Sequence, residues 1–199
     1  MHQRKGHRAG TLALVALVAM ACGMSSASGF AQQANSAGVD WKALTPQIEA
    51  ALGSRYSDCD ENSRWIDVLK TADIGVPVAF VAYCHMGAYT SDIAVVRLEN
   101  GNPVPAVFRR SGKTIDPEML DGSSVRNGTG VELFPDQHAV FSVAWHTDDD
   151  GKVDGCSGTA YAWNRKTQTF DADDALSKIL SNRECALIAR DENKLKSHQ

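Results

Sequence analysis

Apolar and polar positions change their period along this chain, and each change marks an element. Residues 9–21, with TLALVALVAMA at their heart, are continuously apolar behind Arg4, Lys5 and Arg8. A run of about a dozen residues is too short for a spanning helix, which needs about twenty. A basic start, a short apolar stretch and small residues after it predict a secretory signal peptide. Thr45-Pro46 then opens PQIEAALG, with Ile48, Ala51 and Leu52 on one side. Thr45 as a cap, Pro46 in the first turn and Gly53 as a stop predict a short helix.

From Val76 the period becomes two. VPVAFVAYC sets Val78, Phe80, Ala82 and Cys84 against Ala79, Val81, Tyr83 and His85. Apolar residues on both sides predict a central strand covered on both faces. Two strand pairs are expected around Asn100-Gly101 and Asn127-Gly128, since Asn-Gly suits a tight hairpin turn with positive φ. In HAVFSVAWHT, Phe141, Val143 and Trp145 alternate with Ser142, Ala144 and His146, and GTAYAWN puts Tyr161 and Trp163 on one face. A last helix is predicted over 171–182, capped by Asp171 or Asp173, with Leu176, Ile179 and Leu180 as its apolar stripe. The fold class is therefore mainly β: an antiparallel meander of about seven to nine strands (barrel, sandwich or curved sheet) with short N- and C-terminal helices.

The export segment divides the chain. One reading makes 1–31 the signal peptide, ending in Gly29-Phe30-Ala31; another ends it at 21. In the second, Val18-Ala19-Met20-Ala21-Cys22 resembles a bacterial lipobox, with Ala19 where Leu is usual, and Cys22 would be lipidated. Residues 32–39 read as a flexible linker, 40–190 as a single β-rich domain and 191–199 as a frayed tail. Export points to the periplasm, or to an outer-membrane lipoprotein touching the membrane only through its lipid. Loss of the signal's three Lys/Arg leaves 17 such residues against 24 Asp/Glu, a formal charge of −7. That acidity, without a basic stripe, excludes a nucleic-acid partner.

Export also changes the cysteines. Without Cys22 they are four: Cys59, Cys84, Cys156 and Cys185. In an oxidising compartment four cysteines predict two disulfides. Three pairings are open, and moderate loops favour Cys59–Cys84 with Cys156–Cys185. No CxxC or HxxxH spacing supports a metal site instead.

Candidate chemistry is sparse. HTDDDGKVD, residues 146–154, resembles the D-x-D-x-D-G-x-x-D calcium loop of FG-GAP-type repeats. The resemblance implies Asp148, Asp150, Lys152 (through its carbonyl) and Asp154 as oxygen ligands for calcium, with His146 at position one. No other cofactor is indicated. The same stretch also reads as a solvated turn between two strands. Cys84-His85 are neighbours on a strand and point apart, so they do not make a nucleophile and base. GCSGT around Ser157 lacks the final Gly of a nucleophile elbow, and Gly112-Lys113-Thr114 lacks the first Gly of a P-loop, since Val107 stands there. His138 and His146 are expected on one strand face, about 26 Å apart, too far for one site.

Trp145, Tyr161 and Trp163 read as core, or as a stacking platform. YCHMGAYTSD combines aromatic, small and polar residues beside a cysteine, which makes Tyr83, His85, Met86 and Tyr89 the candidate binding surface. Its YC-x-x-G start resembles bacterial periplasmic lysozyme inhibitors, small disulfide-bonded β-barrels. The expected function is an exported, non-enzymatic binding or inhibitor-like protein of a bacterial cell envelope, with a protein or cell-wall partner. The alternatives are an exported hydrolase with a His/acid site and a calcium-stabilised structural domain.

Overall fold

The computed structural model describes residues 38–85, 90–117, 119–123, 127–150 and 152–196. The export segment with Cys22, the first part of the linker, and Met86 and Tyr89 lie outside the described residues. Two helices open the fold, α1 (Thr45–Leu52) and α2 (Ser54–Ser57). The first half of the sheet follows as β1 (Arg64–Asp73), β2 (Pro77–His85), β3 (Thr90–Glu99), β4 (Asn102–Pro105), β5 (Phe108–Arg110) and β6 (Lys113–Ile115). The second half is β7 (Leu120–Ser123), β8 (Asn127–Phe134), β9 (Ala139–Thr147), β10 (Val153–Asn164) and β11 (Thr169–Asp173), and α3 (Asp174–Lys196) ends it.

The eleven strands among the described residues belong to one sheet, mostly antiparallel, in the order β1-β2-β3-β7-β8-β9-β10-β11-β5-β6, with β4 off this path and paired to β3. It is more than a meander. One edge of β3 is shared: its start pairs with β7 and its end with β4. The chain then runs straight from β4 into β5, which lies parallel to β11. Along this connection Ala106 N donates to Val95 O, and Phe170 N donates to Val107 O. Hydrogen bonding thus returns from β11 to β3, and the sheet closes into a barrel.

Three apolar clusters follow from that closure. Inside lie Val78, Phe80 and Ala82 of β2, Ile93 and Val95 of β3, and Phe108, Val131, Val140, Tyr161 and Phe170. Outside β2 and β3, Ala79, Val81, Ala94 and Val96 pack against Trp41 and against Ile48 and Leu52 of α1. Outside β9 and β10, Phe141, Val143 and Ala160 pack against Leu176, Leu180 and Ile188 of α3. The two-sided apolarity of β2 is therefore that of a strand lying between the barrel interior and a helix.

The helix ends show how the covers attach. Pro46 lies in the first turn of α1 and Gly53 ends it at φ 55°. Thr45 does not cap: its hydroxyl donates to Lys42 O. Asp173 does cap, accepting from Leu176 N at 2.9 Å. The last helix runs past Asn182 to Lys196. Where β11 ends, α3 takes over as partner of β10: Ala160 N donates to Ser177 Oγ and Gly158 N to Ser181 Oγ.

Each cover is stapled. Cys59, after α2, bonds Cys84 of β2, and Cys156 of β10 bonds Cys185 of α3. Both favoured pairings are thus formed. Each bridge is worth about 3–4 kcal/mol in the chain-entropy model. An extra residue between Ala82 and Cys84 shifts the register against β3. The bulge interrupts the alternation that set Cys84 beside Phe80, and its Sγ meets Cys59. Two disulfides suit an oxidising compartment. Among the described residues no helix is long and apolar enough to cross a membrane.

The two Asn-Gly signals have different fates. Asn100 (φ 52°) and Gly101 (φ 81°) form the β3–β4 turn. Asn127-Gly128 is no turn; Gly128 sits inside β8, paired with Trp145 of β9. A Cβ there would overlap Cε2 and Cζ2 of Trp145, so this glycine makes room for an indole. Gly128→Ala should therefore destabilise the fold by about 1–3 kcal/mol. At Gly130 the nearest atom to a Cβ is 3.6 Å away, and Gly130→Ala should stay within about 0.5 kcal/mol of the parent. Urea denaturation of the two variants checks this, and equal losses would contradict it.

Candidate functional site

Three hairpin turns meet at one end of the barrel. The β1–β2 turn holds Gly75 at φ 90°, with its N–H on the Asp73 carboxylate at 2.9 Å. In the β10–β11 turn, Asn164 Oδ1 accepts from the N–H groups of Lys166 and Thr167, while Asn164 Nδ2 donates to Asp171. With the β3–β4 turn these enclose a cavity of about 340 Å³ lined by Gly75, Arg97, Glu99, Trp163, Arg165 and Gln168. Trp163 and Arg165 also line an adjoining cleft of about 720 Å³ with Ala162, Lys166, Ala172 and Asp174. The mouth of a β-barrel is a common place for a ligand.

Trp163 forms its floor. The indole packs on Phe170 at 4.9 Å between ring centres, within the interior cluster. The Arg97 guanidinium carbon lies 5.9 Å from the Trp163 ring centre, a cation–π distance. Arg97 is only 8% exposed, its Nη2 is 3.4 Å from Glu99 Oε2, and among the described residues its Nε has no hydrogen-bond partner. Arg97 shares its parity on β3 with the inward Ile93 and Val95, which places a charge where the pattern calls for an apolar residue. Asp171 is held by Asn164 and Thr169. Trp163 was legible as an aromatic on this face; Arg97 and Arg165 were missed. The signal for Arg97 was that break in parity, and Arg165 had none.

The three-residue aromatic platform does not exist. Tyr161 and Trp163 face the interior, while Trp145 packs outside with the α3 cluster. The odd-numbered residues of β9 and β10 lie on opposite surfaces because the antiparallel pairing sets Cys156, an even position, beside Trp145.

Tyr83 and His85 have different neighbours. Tyr83 borders a groove with Arg55, Asp92, Asp116 and Met119, where Arg55 pairs with Asp116 at 2.5 Å. His85 packs edge-on against Trp65 at 4.8 Å, and its buried Nδ1 has no partner among the described residues. Of the four residues of that candidate surface, Met86 and Tyr89 lie outside the described residues.

In the 146–154 stretch Asp148 and Asp154 bond to other residues of the same hairpin. Asp148 accepts from Lys152 N at 2.7 Å while Asp148 N donates to Lys152 O, and His146 Nδ1 meets Asp154 Oδ1 at 2.5 Å. Among the described residues no three His, Cys, Asp or Glu groups converge as a metal cage. His138 does not share a strand face with His146; it sits before β9 in left-handed backbone, φ 50° and ψ 44°. Ser157 lies within β10 and Lys113-Thr114 within β6, so neither has the strand-to-helix context that an elbow or a P-loop requires.

Burial raises the pKa of Tyr83 above the usual 10.0, and the Asp92 charge adds to it. Burial does the same for Tyr56 and Tyr161. As pH rises through about 10, the unfolded chain releases tyrosine protons that the native state keeps. Stability therefore falls with rising pH in that window. Tyr83→Phe should make the fall shallower, as urea denaturation between about pH 8 and about pH 11 would show; an unchanged slope would refute it.

Comparison with protein-family models, curated proteins and solved structures finds no match for this chain.

Proposed function

We propose that the chain is an exported binding protein of the cell envelope, without catalytic activity, that takes its ligand in the mouth of the barrel. The observation that carries this is the cavity beneath three hairpin turns, floored by Trp163 and holding the buried Arg97. Turns fixed by their own hydrogen bonds, on a closed and doubly stapled scaffold, offer a preformed site that costs little ordering on binding. The signal-like start of the chain and the two disulfides support export, to the periplasm or to an outer-membrane lipoprotein anchored at Cys22. Inhibitor-like action is the same proposal with an envelope enzyme as partner.

A second reading, an exported hydrolase, is favoured by one contact, His146 with Asp154. The pair sits on the β9–β10 hairpin, each side chain about half exposed, with Thr147 buried beside it. A general base oriented by a carboxylate needs this geometry.

A fragment screen read on the indole N–H of Trp163 by NMR tests the first reading. Binders should cluster at Trp163 and the three turns, and should be recovered unaltered. A screen whose binders all fall elsewhere would sink it. Hydrolysis of a panel of ester and glycoside substrates, lost in His146→Ala, would establish the second reading instead.

A further inference from the structure

We infer that the mouth of the barrel binds a carboxylate, gripped by Arg97 and Arg165, with the body of the ligand lying on Trp163. This rests on the proposal that the mouth is the binding cleft, and adds the chemistry that the cleft selects.

Arg97 carries the inference. The residue is 8% exposed, yet among the described residues its buried Nε has no partner and its ion pair, to Glu99, is long at 3.4 Å. A guanidinium has five N–H donors and cannot shed its charge. With one buried donor unfilled and only a long ion pair, the cation is poorly compensated, and an anion on its terminal nitrogens supplies the missing counter-charge.

Arg165 lies on the same cavity, opposite the β1–β2 turn. Gly75 makes its place: a Cβ there would sit 3.0 Å from Trp163 Cδ1 and 3.4 Å from Arg165 Nη2, at a φ of +90° that side chains rarely adopt. A glycine thus keeps open the approach to the indole and the second guanidinium.

Charge selects the ligand. Arg97 and Arg165 against Glu99 leave the smaller cavity one positive charge in excess. That balance suits a monoanion with two coplanar oxygens, which matches the guanidinium fork. A phosphate dianion would meet the Glu99 carboxylate beside Arg97. The adjoining cleft of about 720 Å³ has room for the body of the ligand along Trp163, Ala162 and Ala172, and Asp171, Asp173 and Asp174 on its wall turn the anionic end towards the smaller cavity.

The test uses the full oxidised chain and three probes of one shape: benzoate, benzamide and phenyl phosphate. Benzoate should shift the Trp163 indole resonance saturably and bind at least tenfold more tightly than benzamide. Arg165→Gln should weaken benzoate at least tenfold and benzamide by much less, with Tm unchanged. Glu99→Gln should strengthen benzoate, because it removes the internal competitor for Arg97; a merely structural role for Glu99 would not. Equal binding of benzoate and benzamide at Trp163 would overturn the carboxylate assignment and leave the mouth a binding cleft. Phenyl phosphate binding tenfold more tightly than benzoate would overturn it in favour of phosphate. No shift at Trp163 with any probe would overturn both the assignment and the cleft.

Discussion

The divided edge of β3 is the constraint on which the rest of this molecule depends. One end of that edge takes β7 and the other takes β4, because a single strand meets two neighbours along its length. The β4–β5 segment then carries the ladder across to β11. Without this bridge the sheet would be an open meander with an apolar face in need of a partner. With it, that face becomes an interior, filled from β2, β3, β9, β10 and β11. The same closure gathers three hairpin turns around one opening, which is why Trp163 and Arg97, far apart in sequence, share a cavity.

Closure leaves two apolar patches outside, and each is answered separately. The outer faces of β2 and β3 receive α1, and those of β9 and β10 receive α3. A short helix such as α1 is marginal on its own. It persists because it buries Ile48 and Leu52 and because a disulfide holds the following segment to β2. The helices are lids on an already closed body, while the chemistry of the mouth is left to turns that they do not cover.

Much of this was legible in the sequence, and the limits have physical causes. Period-two alternation identified β2, β9 and β10 with their correct faces, because burial on a pleated strand imposes that period directly. Loop length favoured, among three open pairings, the disulfides that form. Three features escaped for one shared reason: they depend on what lies across the sheet. Gly128 looks like a turn residue until Trp145 is placed opposite it. Cys84 shifts because of a bulge that only the β3 register reveals. Arg97 reads as an ordinary strand residue until its neighbours Ile93 and Val95 are known to face inward. The candidate site was therefore half visible: its aromatic floor could be read from β10 alone, whereas its cations belong to other strands and turns.

The contact between α3 and β10 has a consequence for the life of the protein outside its native state. Gly158 and Ala160 present backbone N–H groups beyond the end of β11, and two serine hydroxyls of a helix satisfy them. Were α3 to lift away, those donors would become a bare strand edge, with Phe141 and Val143 newly exposed beside it. Such an edge invites another chain to add a strand. The Cys156–Cys185 bridge keeps the helix over it. Reduction of that one bond would remove the covalent tie, leaving the packing of Leu180 and Ile188 and the two serine hydrogen bonds to hold the helix over the edge.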